Sequence, residues 1–169
     1  DYIQIKRMHK LAKAVVLTSQ GTSFLHAGVE LLRTKGGEHN SYNKPDEVNR
    51  IDWQRKVDHQ DVFEYIQKLI MIRKQHPAFR MRNGEAVRKH LSFFEPKPGS
   101  VGFTISGNAN GDSWKEILVY YNANTIADTI TLNGEWTIAA FDDKIDPSGI
   151  MTSSGSIGVP GVSMLLAFQ

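Results

Sequence analysis

Apolar residues at three- and four-residue spacing open the chain. Between residues 1 and 19 they recur on one face of a helical wheel, with lysine and arginine on the rest of the surface. The apolar positions are Ile5, Met8, Ala12, Val15 and Val16. This spacing predicts a helix over Asp1–Ser19 whose apolar face is packed, ended by Gly21.

A second segment with helical periodicity runs from Asp58 to His76. Asp58 is a suitable N-cap residue, Asp61 lies in the first turn where negative charge is favoured, and Pro77 ends the helix. One stripe of this helix is expected to pack against a sheet. It is formed by Val62, Ile66, Leu69, Ile70 and Arg73.

After Pro77 the pattern changes to short runs rich in Val, Ile, Phe, Tyr and Trp, separated by Gly, Asn and Asp. The runs are Val101–Ser106, Glu116–Asn122, Thr129–Leu132, Glu135–Phe141, Ser156–Val159 and Ser163–Phe168. Residues 108–112 read as a turn, and residues 132–135 as an Asn-Gly hairpin. Several short strands at this spacing predict an antiparallel β-sandwich, so the chain as a whole is of the α+β class.

Between the two helices, Ser23–Ala27 is short and apolar and is predicted to be a buried strand. A polar loop then extends to Trp53. It is much longer than the roughly 4–6 residues of an ordinary connection. Its amides, carboxylates, arginine and aromatic rings suit a hydroxyl-rich ligand, and loops fixed to a rigid strand end commonly carry function.

Charge divides the chain as the pattern does. Residues 1–90 hold 17 Lys and Arg against 10 Asp and Glu, whereas residues 91–169 hold 3 against 8. This asymmetry predicts a domain boundary near Arg80–His90. The basic residues are spread over helix faces without a nucleic-acid-binding motif, and no apolar run approaches the ~20 residues of a membrane span. The absence of cysteine excludes disulfides and thiolate chemistry.

Three sequence runs carry a family resemblance. They are Gly21-x-x-Phe24-Leu25-His26-Ala27-Gly28-x-Glu30-Leu31-Leu32-Arg33-Thr34-Lys35, Asn40-Ser41-Tyr42-Asn43, and Asp46-x-x-Asn49-Arg50-x-Asp52-Trp53. Together they resemble type I pullulanases, which are α-1,6-glucan debranching enzymes of the α-amylase superfamily. Two departures are Thr22-Ser23, where the family usually has an apolar residue and proline, and Val29, where glutamine is common.

The resemblance implies a fragment of a larger enzyme. Residues 1–80 would be the last part of a (β/α)8 barrel, comprising a helix, strand 8, a long loop and the final helix, and residues 81–169 a C-terminal β-sandwich. A complete barrel needs ~250 residues, so the missing N-terminal part of the barrel is an expected partner. The catalytic carboxyl groups of this retaining family lie on strands 4, 5 and 7. We therefore expect this fragment to be inactive alone. We also expect it either to self-associate through uncovered apolar faces or to be locally disordered within residues 1–57.

Candidate substrate-binding residues lie on the long loop. Asp46 and Arg50 are four residues apart, which fits an ion pair on one helical turn. The resemblance implies instead that both contact sugar hydroxyls of an α-glucan such as pullulan, glycogen or branched dextrin. Tyr42 and Asn43 could add a stacking ring and an amide. Trp53 is expected to anchor the loop in the core.

Other candidate groups are assigned structural roles. Glu30 is expected to bind loop backbone, and His26 to be a core histidine. His39 beside Glu38 is a weaker candidate for a ligand or metal contact. No cofactor is predicted for the fragment, while the resemblance leaves calcium open for the parent enzyme.

Two other functions remain open at this point. A carbohydrate-binding or interaction module would use aromatic platforms on the sandwich, although Trp114, Trp136 and Tyr120 are expected to be core. A related amylase or isoamylase with a different linkage preference would share the loop.

Overall fold

A computed structural model describes residues 1–94 and 97–169 of the chain. It contains an α-helical first half and a β-rich second half. The helices are α1 (Tyr2–Thr18), α2 (Asp46–Asn49), α3 (Gln54–Asp58), α4 (Gln60–Gln75) and α5 (Gly84–His90), with short 3-10 helices at Val29–Leu31, Pro77–Arg80 and Ala109–Gly111. The strands are β1 (Leu91–Phe93), β2 (Ser100–Ser106), β3 (Glu116–Asn122), β4 (Asp128–Asp142), β5 (Lys144–Ile145), β6 (Met151–Val159) and β7 (Ser163–Phe168). Across these described ranges, every helix is too short or too polar to cross a membrane.

The strands form an antiparallel sheet in the order β1-β2-β3-β7-β4-β5, with β6 paired to β4. Strands β3 and β7 occupy the centre, where Val119 pairs with Leu166. Both faces of these two strands are buried, which explains their nearly continuous apolar sequences. The predicted antiparallel arrangement is confirmed, and the last strand of the chain lies between β3 and β4.

The second layer of the predicted sandwich is made by the sheet itself. The first half of β4 and its partner β6 contribute Ile130, Leu132, Ile157 and Val159 to one buried cluster with Leu118 of β3. Because successive residues of a strand face opposite ways, this cluster covers the face of β3 that points away from the helices. Within the described residues the strands therefore form one folded sheet, where the sequence pattern alone predicts two.

The predicted hairpin at residues 132–135 is wrong. Strand β4 continues through this region, and its pairing with β6 shifts in register between Leu132 and Trp136. Gly134, at φ +86°, takes the left-handed conformation that an Asn-Gly hairpin would also need. The same turn residues therefore produce a bulge inside one long strand, because the neighbouring strand β6 runs alongside both halves.

Helices α1 and α4 pack together against the other face of the sheet. The buried cluster there combines Leu11 and Leu17 of α1, Ile66 of α4, and Val119 and Leu166 of the central strands. The predicted α4 stripe is confirmed except at Ile70, which is 36% exposed. The neighbouring Tyr65 and Ile72 are buried in its place.

The predicted packing face of α1 is wrong. The buried positions are Lys10, Leu11, Ala14, Leu17 and Thr18. By contrast, the side chains of Ile5 and Met8 are 57% and 58% exposed. The helix carries two apolar stripes, and the one that meets α4 and the sheet includes the aliphatic stem of Lys10, whose ammonium group lies 3.1 Å from Asp61 Oδ2.

Contrary to the sequence prediction, Asp58 is not the N-cap of the second long helix. A kink at His59 separates α3 from α4, so Asp58 ends one helix instead of capping the next. The Asp58 carboxylate accepts a hydrogen bond from Gln54 Nε2 at 3.2 Å. Asp61 lies in the first turn of α4, as predicted, where it pairs with Lys6 and Lys10 of α1.

The predicted buried strand Ser23–Ala27 is also wrong. Residues 22–26 have no regular secondary structure, and the side chain of Phe24 is 81% exposed. A strand needs a neighbour to satisfy its backbone groups, and none of the described strands lies beside this segment. The apolar run alone therefore does not form a strand in this chain.

A buried polar pair joins the helical half to the sheet. His76 Nδ1, at the end of α4, donates to Asp112 Oδ1 at 2.8 Å. The backbone N–H groups of Ala78 and Trp114 donate to the same carboxylate, each at 2.9 Å. Burial alone would raise the pKa of Asp112, but these hydrogen bonds lower it overall. The indole of Trp114 stacks between the His76 and Phe168 rings, at centroid distances of 3.4 and 4.1 Å.

Candidate functional site

The candidate ligand loop runs from Gly28 to Trp53. It begins with a tight turn in which Gly28 adopts φ +91° and its N–H donates to Glu30 Oε2 at 3.1 Å. The predicted role of Glu30 in binding loop backbone is confirmed. A β-carbon at position 28 would lie 2.7 Å from the side chain of Arg33, so glycine is required both for the conformation and for this close approach.

Basic side chains tie the base of the loop to backbone carbonyl groups. Arg55 of α3 donates to Leu32 O from Nε at 3.1 Å and from Nη2 at 2.6 Å. Arg33 donates to Ala27 O at 3.3 Å and to the carbonyl of Asn49. A guanidinium group supplies several donors in a fixed plane, so one side chain holds two loop segments at a set separation.

The middle of the loop is a turn followed by one turn of helix. Lys44 N donates to Ser41 O at 3.1 Å, which places Tyr42 and Asn43 at the two central positions of the turn. Helix α2 then starts at Asp46, directly after Pro45. The Tyr42 side chain is 83% exposed, and the residues around it on the turn are exposed as well.

The four predicted sugar-contact residues all lie on this exposed stretch. Among the described residues, no side-chain hydrogen bond or ion pair is formed by Tyr42, Asn43, Asp46 or Arg50. The alternative expectation, an ion pair between Asp46 and Arg50, is therefore wrong. Helix α2 ends at Asn49 and Arg50 takes an extended conformation (ψ 156°), so helical spacing no longer sets where its side chain points.

Two residues predicted to be internal are on the surface. His26 is exposed, and the side chain of Trp53 is 66% exposed. The prediction for His26 relied on the buried strand Ser23–Ala27, which this chain does not form, and the prediction that Trp53 anchors the loop in the core is also wrong. The side chain of Phe24, near the base of the loop, is exposed as well.

The described residues of the loop do not form a metal-binding site. In the parts of the chain that the structure describes, no three His, Cys, Asp or Glu side chains are grouped closely enough to hold a metal ion. Glu38, next to His39, pairs instead with Lys44, whose Nζ lies 3.2 Å from Glu38 Oε2.

The three rings considered as sugar platforms in the β-rich half are internal, as predicted. The exposed fractions of Trp114, Trp136 and Tyr120 are 8%, 5% and 3%. Burial also raises the pKa of Tyr120, and its hydroxyl donates to Asp128. These rings cannot serve as platforms for a sugar, so the exposed polar and aromatic groups of the loop are the better candidates for ligand contact.

Sequence reasoning did not find the residues that shape the loop. Lys35, Arg33, Asn49 and Arg55 act on it through contacts to backbone oxygens or to a small hydroxyl group. Such contacts have no periodicity, because they depend on where the loop returns in space. The only sequence signal was the concentration of basic and amide residues in a segment without helical or strand spacing.

Comparisons with known proteins match pullulanases and, at lower identity, isoamylases: the isoamylase of Flavobacterium sp is 30% identical over 129 residues, which is 64% of this chain and 17% of that protein. Residues 87–144 match the family model described as "Pullulanase, all-beta domain". The pullulanase of Bacillus subtilis (strain 168) is 37% identical over 115 residues, which is 68% of this chain and 16% of that protein. The chain thus spans about one-sixth of the length of this relative.

Solved pullulanase structures match nearly the whole chain. The pullulanase from Bacillus acidopullulyticus superposes with a TM-score of 0.94 at 44% identity, covering 97% of this chain and 20% of that one. The pullulanase from Anoxybacillus sp. LM18-11 complexed with maltotriose gives a TM-score of 0.89 at 34% identity, covering 100% of this chain and 23% of that one. The resemblance to pullulanases predicted from the sequence is confirmed.

Proposed function

We propose that this chain is the C-terminal portion of a debranching glycoside hydrolase similar to type I pullulanases. The whole enzyme would cleave α-1,6-glucosidic bonds in pullulan, glycogen or branched dextrin. Residues 1–80 would complete a (β/α)8 barrel, and residues 81–169 would form the β domain that covers its last helices. The packing of α1 and α4 on the central strands supports the covering role of the β domain, because the sheet buries one face of each helix.

The observation that carries the proposal is the exposed array on the loop. Asp46 and Arg50 flank one turn of helix, and Tyr42 and Asn43 occupy a turn beside it, all without partners among the described residues. A carboxylate and a guanidinium each offer two parallel hydrogen bonds, which suits the vicinal hydroxyl groups of a glucose unit. The Tyr42 ring adds a flat apolar surface for stacking.

The reacting groups would come from outside this chain. Retaining glycoside hydrolysis uses two carboxyl groups, one acid and one nucleophile, about 5–5.5 Å apart across the scissile bond. The family resemblance implies that these lie on earlier barrel strands. In this proposal the loop binds and orients the glucan, and the chain has no hydrolytic activity of its own.

A substitution at Asp46 in the full-length polypeptide tests the loop assignment. Asp46→Ala should lower kcat/KM for pullulan by roughly 10-fold or more, because a charge-assisted hydrogen bond contributes about 1.5–3 kcal/mol. Glu47→Ala is the matched control, since Glu47 is an exposed carboxylate on the same turn of α2. If the two variants had the same kinetics as the parent, the assignment of the loop to glucan binding would be wrong.

A further inference from the structure

The side chain of Asn49 joins the two halves of the candidate glucan-binding array. Its Nδ2 donates to Ser41 O at 2.7 Å and to Lys44 O at 2.8 Å, the first and last residues of the turn that carries Tyr42 and Asn43. Asn49 is itself the last residue of α2, the helical turn that begins with Asp46. A single amide therefore fixes the turn against the helix.

Two further contacts hold Asn49 in place. Its Oδ1 accepts a hydrogen bond from Lys35 Nζ at 3.3 Å, and Lys35 also donates to Ser41 Oγ. The backbone carbonyl of Asn49 accepts a hydrogen bond from Arg33, whose side chain packs over Gly28. The donors and acceptor of the amide are thus all used within the loop, and Asn49 is half-buried while the residues that it arranges are exposed.

We propose that Asn49 is a positioning residue for glucan binding: it sets the distance and orientation of Tyr42 and Asn43 relative to Asp46 and Arg50. The inference rests on the proposed function of the loop. The side-chain amide of Asn49 is used by two backbone carbonyls and Lys35, so its role in this inference is to position other residues and not to contact sugar. Its effect on substrate is exerted through the four residues that it arranges.

Preorganisation gives the physical reason. A loop that samples many conformations must lose that freedom when it binds, and the loss reduces affinity. Replacing Asn49 by alanine removes the two donors that close the turn and leaves Ser41 O and Lys44 O to water. Since both carbonyls lie near the surface, the chain should remain folded, and the main consequence should be weaker binding of substrate.

The test compares variants of the full-length polypeptide in pullulan hydrolysis and thermal unfolding. Asn49→Ala should raise KM about 10-fold with kcat nearly unchanged, because preorganised binding is lost while the reacting groups remain intact. Asn124→Ala is the matched control. Asn124 is a half-buried amide that donates to Pro98 O at 3.1 Å and to Ser100 Oγ at 3.3 Å, in the β-rich half. It should leave KM unchanged.

Comparing the kcat/KM losses of the single and double variants distinguishes a positioning role from a purely structural one. Because part of the effect of Asn49 is exerted through Asp46, the double variant Asp46→Ala, Asn49→Ala should lose less in kcat/KM than the product of the two single losses. Independent roles would multiply the two losses and overturn the inference. So would an Asn49→Ala variant whose Tm falls well below that of Asn124→Ala while KM stays constant.

The outcomes also separate this inference from the proposed function. A raised KM in Asp46→Ala with an unchanged KM in Asn49→Ala would refute the positioning role alone. Unchanged kinetics in both would refute the glucan-binding role of the loop and the positioning role with it. A raised KM in both, with the non-additive double variant, is the result that we expect.

Discussion

Replacing Asp112 should have a large effect on stability, because this carboxylate joins the helical half of the chain to the sheet. Its side chain is fully buried, and it accepts hydrogen bonds from His76 Nδ1 and from the backbone of Ala78 and Trp114. An asparagine has nearly the same shape but only one acceptor oxygen. In Asp112→Asn, an NH2 group must therefore face at least one buried donor.

The size of the effect follows from these contacts. Leaving one buried donor unsatisfied costs about 1–3 kcal/mol, and losing a hydrogen bond to a charged carboxylate costs about 1.5–3 kcal/mol. We expect Asp112→Asn to lower the free energy of unfolding by about 3 kcal/mol, which corresponds to a fall in Tm of roughly 6–12 °C for a chain of this length.

Urea unfolding of the chain, followed by circular dichroism, measures this loss. Asp146→Asn is the control, since the Asp146 carboxylate is exposed and accepts only the local N–H of Ser148 at 2.9 Å. The control should stay within about 0.5 kcal/mol of the parent chain. An Asp112→Asn variant as stable as that control would refute the conclusion that this pair holds the two halves together.

Two further predictions concern acid and self-association. Because the pKa of Asp112 lies below its ordinary value of 3.8 in the folded chain, its stabilising contribution is present above that value and is lost as the pH falls through the folded pKa. The difference in urea midpoint between the parent and Asp112→Asn should therefore shrink as the pH is lowered below 3.8, and a constant difference would contradict this. The uncovered stripe of α1 should drive association of the isolated chain, so Ile5→Lys with Met8→Lys should shift the mass seen by light scattering towards the 19.0 kDa monomer; a parent chain that is already monomeric would contradict the expectation.

Sequence periodicity correctly predicted the helices and strands whose local residue pattern agrees with how they pack in the fold. Strands β3 and β7 have the predicted bounds, because their apolar runs are buried on both faces and end at turn residues. Helix α4 differs by only a few residues, since its stripe is apolar at every third or fourth position. In these cases local preference and tertiary packing agree.

The failures occur where the partner of an apolar face decides the outcome. Periodicity shows that residues 2–18 form a helix, but α1 has two apolar stripes, and the pattern does not tell which one meets α4. The run around Phe24 has the composition of a strand and no neighbour to pair with. In residues 132–135 the sequence fits a hairpin, and only the register of β6 turns it into a bulge.

The candidate site was predictable in part. The resemblance pointed to Tyr42, Asn43, Asp46 and Arg50, and the structure places all four on one exposed stretch of loop. The amide of Asn49 could not be assigned in this way, because its partners are backbone carbonyls that carry no sequence signature. The contact between His76 and Asp112 could not be predicted either, because these residues lie 36 positions apart in the sequence.

The most direct test is the release of reducing sugar from pullulan by this chain and by the same chain extended upstream to a complete barrel. We predict activity in the extended protein only, because the loop binds glucan while the catalytic carboxyl groups lie on strands outside these residues. Hydrolysis by the 169-residue chain itself would show that the chemistry has been misplaced. Inactivity of a folded extended protein on pullulan would contradict the assignment to a debranching enzyme.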